Sequence, residues 1–159
     1  MTISKCEPGH AGAPAAAFTR SPTDLVDEFL KRWSFQNINS CLELLAEDAA
    51  YTLHISETLL PFAGSTNGRE AIGGQFQVML RDWDYLVFRP GAARANVDDP
   101  NRVHCQVEFI YRHRTTGSDL SGHMRLVCKV EDGYLKSVDE YHDAGMVEAF
   151  LRLMQSEQE

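Results

Sequence analysis

The chain has 159 residues and a mass of 17.9 kDa, the size of one domain able to bury its own core. A formal charge of −8 excludes a general nucleic-acid binder, which needs a basic face for phosphates, and works against binding an anionic membrane surface. Its apolar content of 43% and mean hydropathy of −0.31 are those of a soluble protein, and no run approaches the ~20 apolar residues of a membrane helix.

Residues 1–20 are rich in Ala, Gly and Pro without an apolar period and are expected to form a mobile arm. Residues 21–155 are expected to form a single domain. The alanine patch of the arm is broken by Pro14 and is not expected to act as a secretory signal. The spacings of Cys6, Cys41, Cys105 and Cys128 fit no zinc pattern, so reduced thiols and a cytoplasmic location are expected.

Ser21-Pro22-Thr23-Asp24 opens a first helix, with Ser21 or Thr23 as cap and Leu25, Phe29, Leu30 and Trp33 on one face. A second short helix is expected over Ser40–Glu47. Alternation of Tyr51, Leu53 and Ile55 marks a strand over Ala49–Ile55. After a loop holding Pro61, Gly64 and Gly68, a third helix runs from Arg69 to Arg81 with the stripe Ile72, Phe76, Met79 and Leu80. Gly73-Gly74 inside it costs about 1 kcal/mol per glycine, so packing must hold it.

The remainder reads as strand. Asp84–Val97 is interrupted, because Pro90-Gly91 belongs at a bulge or edge. Arg102–Arg114 and Ser118–Val130 form a hairpin. If Thr116-Gly117 is its two-residue turn, Glu108 faces Arg125, Arg112 faces Ser121 and Cys105 faces Cys128. One face is then apolar and the other ion-paired. Asp132-Gly133 is a turn signal leading into Tyr134–His142. Asp143 can cap a final helix carrying Met146, Val147, Phe150 and Leu151.

Certain phrases, in this order, carry a resemblance. Leu44-Leu45-Ala46-Glu47-Asp48-Ala49 enters a strand, and Gly68-Arg69-Glu70-Ala71-Ile72 opens the third helix. Glu131-Asp132-Gly133-Tyr134-Leu135 precedes Glu140-Tyr141-His142-Asp143. Over about residues 22–152 the chain resembles the SnoaL-like branch of the nuclear transport factor 2-like superfamily. The resemblance implies an α+β cone-shaped roll: a curved, mainly antiparallel sheet around three N-terminal helices, with a short C-terminal helix. It also implies a homodimer through the outer sheet face. Members include ketosteroid isomerase, limonene epoxide hydrolase, scytalone dehydratase and polyketide cyclases, together with non-catalytic modules, so the fold alone does not set the activity.

Carried over residue by residue, much of the known machinery is missing. The isomerase's helix tyrosine falls on Phe29 and its aspartate base on Leu53. The hydrolase's Arg and Asp fall on Val107 and Phe109. What survives is Tyr51 on the first strand and a carboxylate, Glu140, on the last. The last strand leaves its facing open: either Val138, Glu140 and His142 point inward, or Leu135, Ser137, Asp139 and Tyr141 do.

With the first facing, Glu140 is a candidate acid or base in an apolar cone, where desolvation raises a carboxyl pKa. Tyr51 and His142 would assist it. Phe29, Trp33, Leu53, Phe76, Met79, Val107, Phe109, Tyr111, Met124 and Leu126 would wall a pocket for a small apolar or aromatic ligand. Such a trio suits isomerisation, dehydration or cyclisation without a cofactor. The alternative is a non-catalytic ligand-binding or dimeric assembly module. His54, His104 and His123 alternate with inward positions and supply no third metal ligand, so no metal is expected. Neither a nucleophile elbow nor a phosphate loop occurs.

Overall fold

A computed structural model of the chain describes residues 20–55 and 63–157; the expected arm up to residue 19, with Cys6 and His10, and Pro61 lie outside them. Helix α1 (Pro22–Ser34) starts as its sequence dictates. The Ser21 hydroxyl accepts from the Asp24 N–H at 3.2 Å, Pro22 occupies the first turn, and Leu25, Val26, Phe29, Leu30 and Trp33 are buried. Helix α2 (Ile38–Leu42) is capped by the Asn37 side chain.

The expected helix over Ser40–Glu47 is therefore displaced, because its last turn is strand. β1 (Leu45–His54) begins where Leu45 pairs with Leu135, and the Arg69 guanidinium donates to the Leu45 carbonyl at 2.6 and 3.1 Å. Sheet pairing outweighs the strong helix propensity of Leu44–Glu47.

After β2 (Gly64–Asn67) comes α3 (Arg69–Asp82), which buries Ile72, Phe76 and Met79. Gly73 has a reason to be there. A Cβ on it would stand 2.8 Å from Leu42 Cδ1, so its bareness lets α2 lie against α3. Strands β3 (Trp83–Pro90), β4 (Arg94–Ala95), β5 (Arg102–His113), β6 (Asp119–Glu131) and β7 (Tyr134–Tyr141) follow, and α4 (Ala144–Glu157) ends the chain. The curved, unclosed sheet runs β2-β1-β7-β6-β5-β3, with β4 beside β5. Every pairing is antiparallel except β1 with β7. The expected α+β roll is what forms. Among the described residues, no helix is long and apolar enough to cross a membrane.

The hairpin register differs from expectation by two residues. His113 accepts from the Gly117 N–H and donates to the Ser118 carbonyl, so the loop is Arg114–Gly117 rather than a two-residue turn. Phe109 consequently faces Gly122, Val107 faces Met124, and Arg112 faces Asp119, to which it donates at 2.7 and 3.1 Å. A slip of two keeps every side chain on its expected face but changes its partner. Cys105 thus stands opposite Leu126, diagonal to Cys128, and both thiols are free and buried on the inner face. His113, at the end of β5, is half-buried and bonds Thr116 Oγ1.

Asp132 and Gly133 both take positive φ in the β6–β7 turn, as an Asp-Gly type I′ turn requires. Asp143 caps α4 through the Met146 N–H at 3.1 Å. Helix α4 lays Val147, Leu151 and Met154 onto the core beside Trp83, whose ring lies 6.2 Å from that of Phe150. Gly122 gives it room: a Cβ there would meet Met146 Cε at 3.1 Å and the Phe109 ring at 3.6 Å.

Candidate functional site

The facing of β7 is set by a bulge. Val130 pairs with Leu135 but Lys129 with Ser137, so the register shifts at Lys136. Leu135 is thereby inward together with Val138 and Glu140, although their spacing is odd, while Asp139 and Tyr141 point outward. On the outer side His54 bonds Asp139 at 3.0 Å and stacks on Tyr141. On the inner side Glu140, only 3% exposed, sits among apolar walls.

A lone ionised carboxylate there would be costly by several kcal/mol. Glu140 is not alone. Tyr51, one strand away and opposite Val138, donates its hydroxyl to Glu140 Oε2. His142, just beyond the end of β7, meets Glu140 Oε1 through Nε2 at 2.6 Å. The His142 side chain is 6% exposed and rests edge-on against Phe109 at 5.4 Å. Burial, followed by the neighbouring carboxylate, pushes Tyr51 well above the ordinary tyrosine range. Tyr85 is raised for the same two reasons, and Tyr111 by burial, then Tyr85, then Glu140. All three hydroxyls therefore remain neutral donors through neutral pH.

Two adjoining hollows open from Glu140. The first is lined by Leu53, Ile55, Met79, Trp83, Tyr85, Tyr111, Leu120, Glu140, His142, Val147 and Leu151, and holds about 440 Å³ including its mouth. The second, about 290 Å³ including space open to solvent, is lined by Phe29, Leu30, Trp33, Tyr51, Phe76, Met79, Phe88, Tyr111, Met124, Leu126 and Glu140. Met79, Tyr111 and Glu140 belong to both, so the carboxylate stands where the two meet.

The model for the SnoaL-like domain matches residues 26–138. The chain belongs to the SnoaL-like family. Solved structures agree on the fold of this SnoaL-like domain. An NTF2-like protein of unknown function from Burkholderia pseudomallei superposes with a TM-score of 0.73 at 12% identity, covering 84% of this chain and 98% of that one. A candidate polyketide cyclase from Pseudomonas putida gives 0.67 at 13% identity, over 81% and 96%. A protein of ketosteroid isomerase-like fold from Catenulispora acidiphila, in complex with trimethylamine, gives 0.65 at 17%, over 79% and 90%. No curated protein matches the sequence.

Of the walls expected from sequence, Phe29, Trp33, Leu53, Phe76, Met79, Tyr111, Met124 and Leu126 border the SnoaL-like cavity. Val107 and Phe109 do not. Both are fully buried in the core, Phe109 beneath Tyr111 at a ring distance of 4.5 Å. Tyr51, Glu140 and His142 are brought into one hydrogen-bonded row.

Sequence reasoning missed Trp83, Tyr85, Phe88, Leu120 and the α4 residues. A register shift between Tyr85 and Val87 turns Leu86 outward, and Tyr85 and Phe88 then stack within the same cluster. The alternation of Trp83 and Tyr85 around Asp84 was the available signal.

Proposed function

We propose that the chain is a cofactor-free lyase, isomerase or cyclase that moves a proton on a small, largely apolar molecule held in the cone. The observation that carries this reading is the row Tyr51–Glu140–His142, buried where two apolar hollows meet. A proton-transfer group gains from being buried yet partnered, because small changes around it then set its affinity for a proton. Membership of a family whose solved neighbours include candidate polyketide cyclases supports a reaction on carbonyl-bearing carbon skeletons.

Glu140 serves as the acidic member, with Tyr51 and His142 sharing its charge. Leu53, Trp83 and Tyr111 keep water from the reacting centre. The ligand class is a small apolar or aromatic molecule, and the working unit is a homodimer.

The test is a screen of small ketones and alcohols with the wild-type protein and Glu140→Gln. Turnover that disappears in the variant while circular dichroism is unchanged is the expected result. Full turnover in Glu140→Gln would take Glu140 out of the chemistry, and no turnover of any compound by the wild type would leave a ligand-binding or assembly module.

A further inference from the structure

Both oxygens of Glu140 are engaged, Oε2 by the Tyr51 hydroxyl and Oε1 by His142 Nε2. A carboxylate so occupied has little left for a ligand. The polar atom of the row that makes no hydrogen bond among the described residues is His142 Nδ1, on a side chain only 6% exposed. This holds for either tautomer, since Nε2 is committed to Glu140 whether it donates or accepts. An unpaired buried ring nitrogen is costly and needs an account.

A second incompletely bonded group lies on the same hollow. The Tyr85 hydroxyl, toward which Tyr111 donates, has no acceptor for its own proton among the described residues, and Tyr85 and His142 both line the first hollow, beside Val147 and Leu151 of α4. An unpaired ring nitrogen and a hydroxyl proton without an acceptor, in one apolar hollow, specify what should fill it. The occupant has a proton to give and an oxygen to receive a hydrogen bond.

We propose that His142, through Nδ1, is the group that takes and returns the substrate's proton, with Glu140 as its positioning carboxylate and Tyr85 as donor to the substrate oxygen. The inference rests on the proton-transfer reading above and assigns its atoms. The Nδ1 lone pair takes the proton, and the electrons of the broken C–H or O–H bond stay on the substrate as an enolate or oxyanion. Tyr85 donates to the oxygen that carries the charge. The imidazolium, held at Nε2 by Glu140, then returns the same proton. This is the arrangement in which a buried carboxylate fixes an imidazole and stabilises its charged form. The substrate class is an aromatic or alicyclic ketone or phenol small enough for the hollow.

The probe is 4-nitrophenol, apolar, acidic at one end and accepting at the other, whose absorption separates phenol from phenolate. At a pH where the free probe is mainly phenol, wild-type protein is expected to bind it as phenolate. His142→Gln should lose at least tenfold of the bound phenolate, and Glu140→Gln should lower it without removing it. Nitrogen-15 shifts of the wild-type imidazole, which do not depend on any variant folding, should show Nδ1 gaining a proton on binding while Nε2 keeps its own. The reverse pattern, phenolate lost in Glu140→Gln and kept in His142→Gln with Nδ1 unmoved, would make Glu140 the proton acceptor. It would overturn the assignment and leave the proton-transfer reading standing. Absence of bound phenolate in the wild type, or of any binding at millimolar probe, would remove both.

Discussion

Burying a carboxylate at Glu140 obliges the sequence to supply donors, and the two it supplies come from distant places. Tyr51 arrives through the parallel pairing of β1 with β7, and His142 lies two residues along the chain. Tyr51→Phe leaves Glu140 Oε2 without a donor and is expected to cost about 1–3 kcal/mol of stability, read from urea unfolding. No loss would show that the bond contributes little.

The thiols give a second check at this scale. Burial pushes Cys41 and Cys128 up to about 12 and raises Cys105 as well. The nucleophile is the thiolate, so these three should react with an aromatic disulfide reagent at pH 8 only as fast as the protein unfolds. A Cys6→Ser variant isolates the measurement; rapid reaction of any remaining thiol would contradict the buried placement. Tyr51 and Glu140 were legible from alternation and family phrases. Phe88 was not, because the irregularity between Tyr85 and Val87 resets the strand's parity before it, and a bulge is a tertiary choice that hydrophobic period cannot register.

The elements themselves were mostly legible. Caps at Ser21 and Asp143, the Asp-Gly turn and the α3 stripe all announce themselves locally. What eluded sequence is where neighbours decide. Leu45 joins a strand because Leu135 is there to pair with it, and the hairpin loop lengthens because Arg112 then meets Asp119. Both facings of β7 looked acceptable because the bulge at Lys136 puts members of each set inside.

The paired glycines of α3 separate local propensity from packing. No atom lies within 4 Å of a Cβ built on Gly74, whereas one on Gly73 meets Leu42 at 2.8 Å. Gly74→Ala is therefore expected to stabilise by up to about 1 kcal/mol, and Gly73→Ala to gain less or to destabilise as Leu42 gives way. Thermal melts of the two variants check this; equal gains would mean α2 does not press on α3.

At the scale of the whole molecule, one sheet face is filled by helices and the other carries Glu108, Ile110, His123, Arg125 and Val127. We propose that this mixed face forms the interface of a homodimer, burying on the order of 1,500 Å² in total. Light scattering should give twice the chain mass at micromolar concentration, and a monomer would exclude it.

Alkaline stability follows from the three raised tyrosines. The folded state holds their protons more tightly than the unfolded state, whose tyrosines ionise near 10. Their contribution is complete below about pH 10 and is lost as the pH climbs beyond it. Phenolate absorbance should therefore show Tyr51, Tyr85 and Tyr111 ionising together with loss of structure, not before it.

Hydrogen–deuterium exchange at the α-carbon of 2-tetralone in D₂O, followed by NMR with wild-type protein and Glu140→Gln, tests most directly whether the buried row transfers protons. Such exchange requires a proton to leave carbon and return, whatever the natural substrate. The wild type is expected to accelerate exchange over buffer, and Glu140→Gln to lose that acceleration by about 100-fold or more. Exchange no faster than buffer with the wild type, or equally fast with both proteins, would contradict proton transfer by the row.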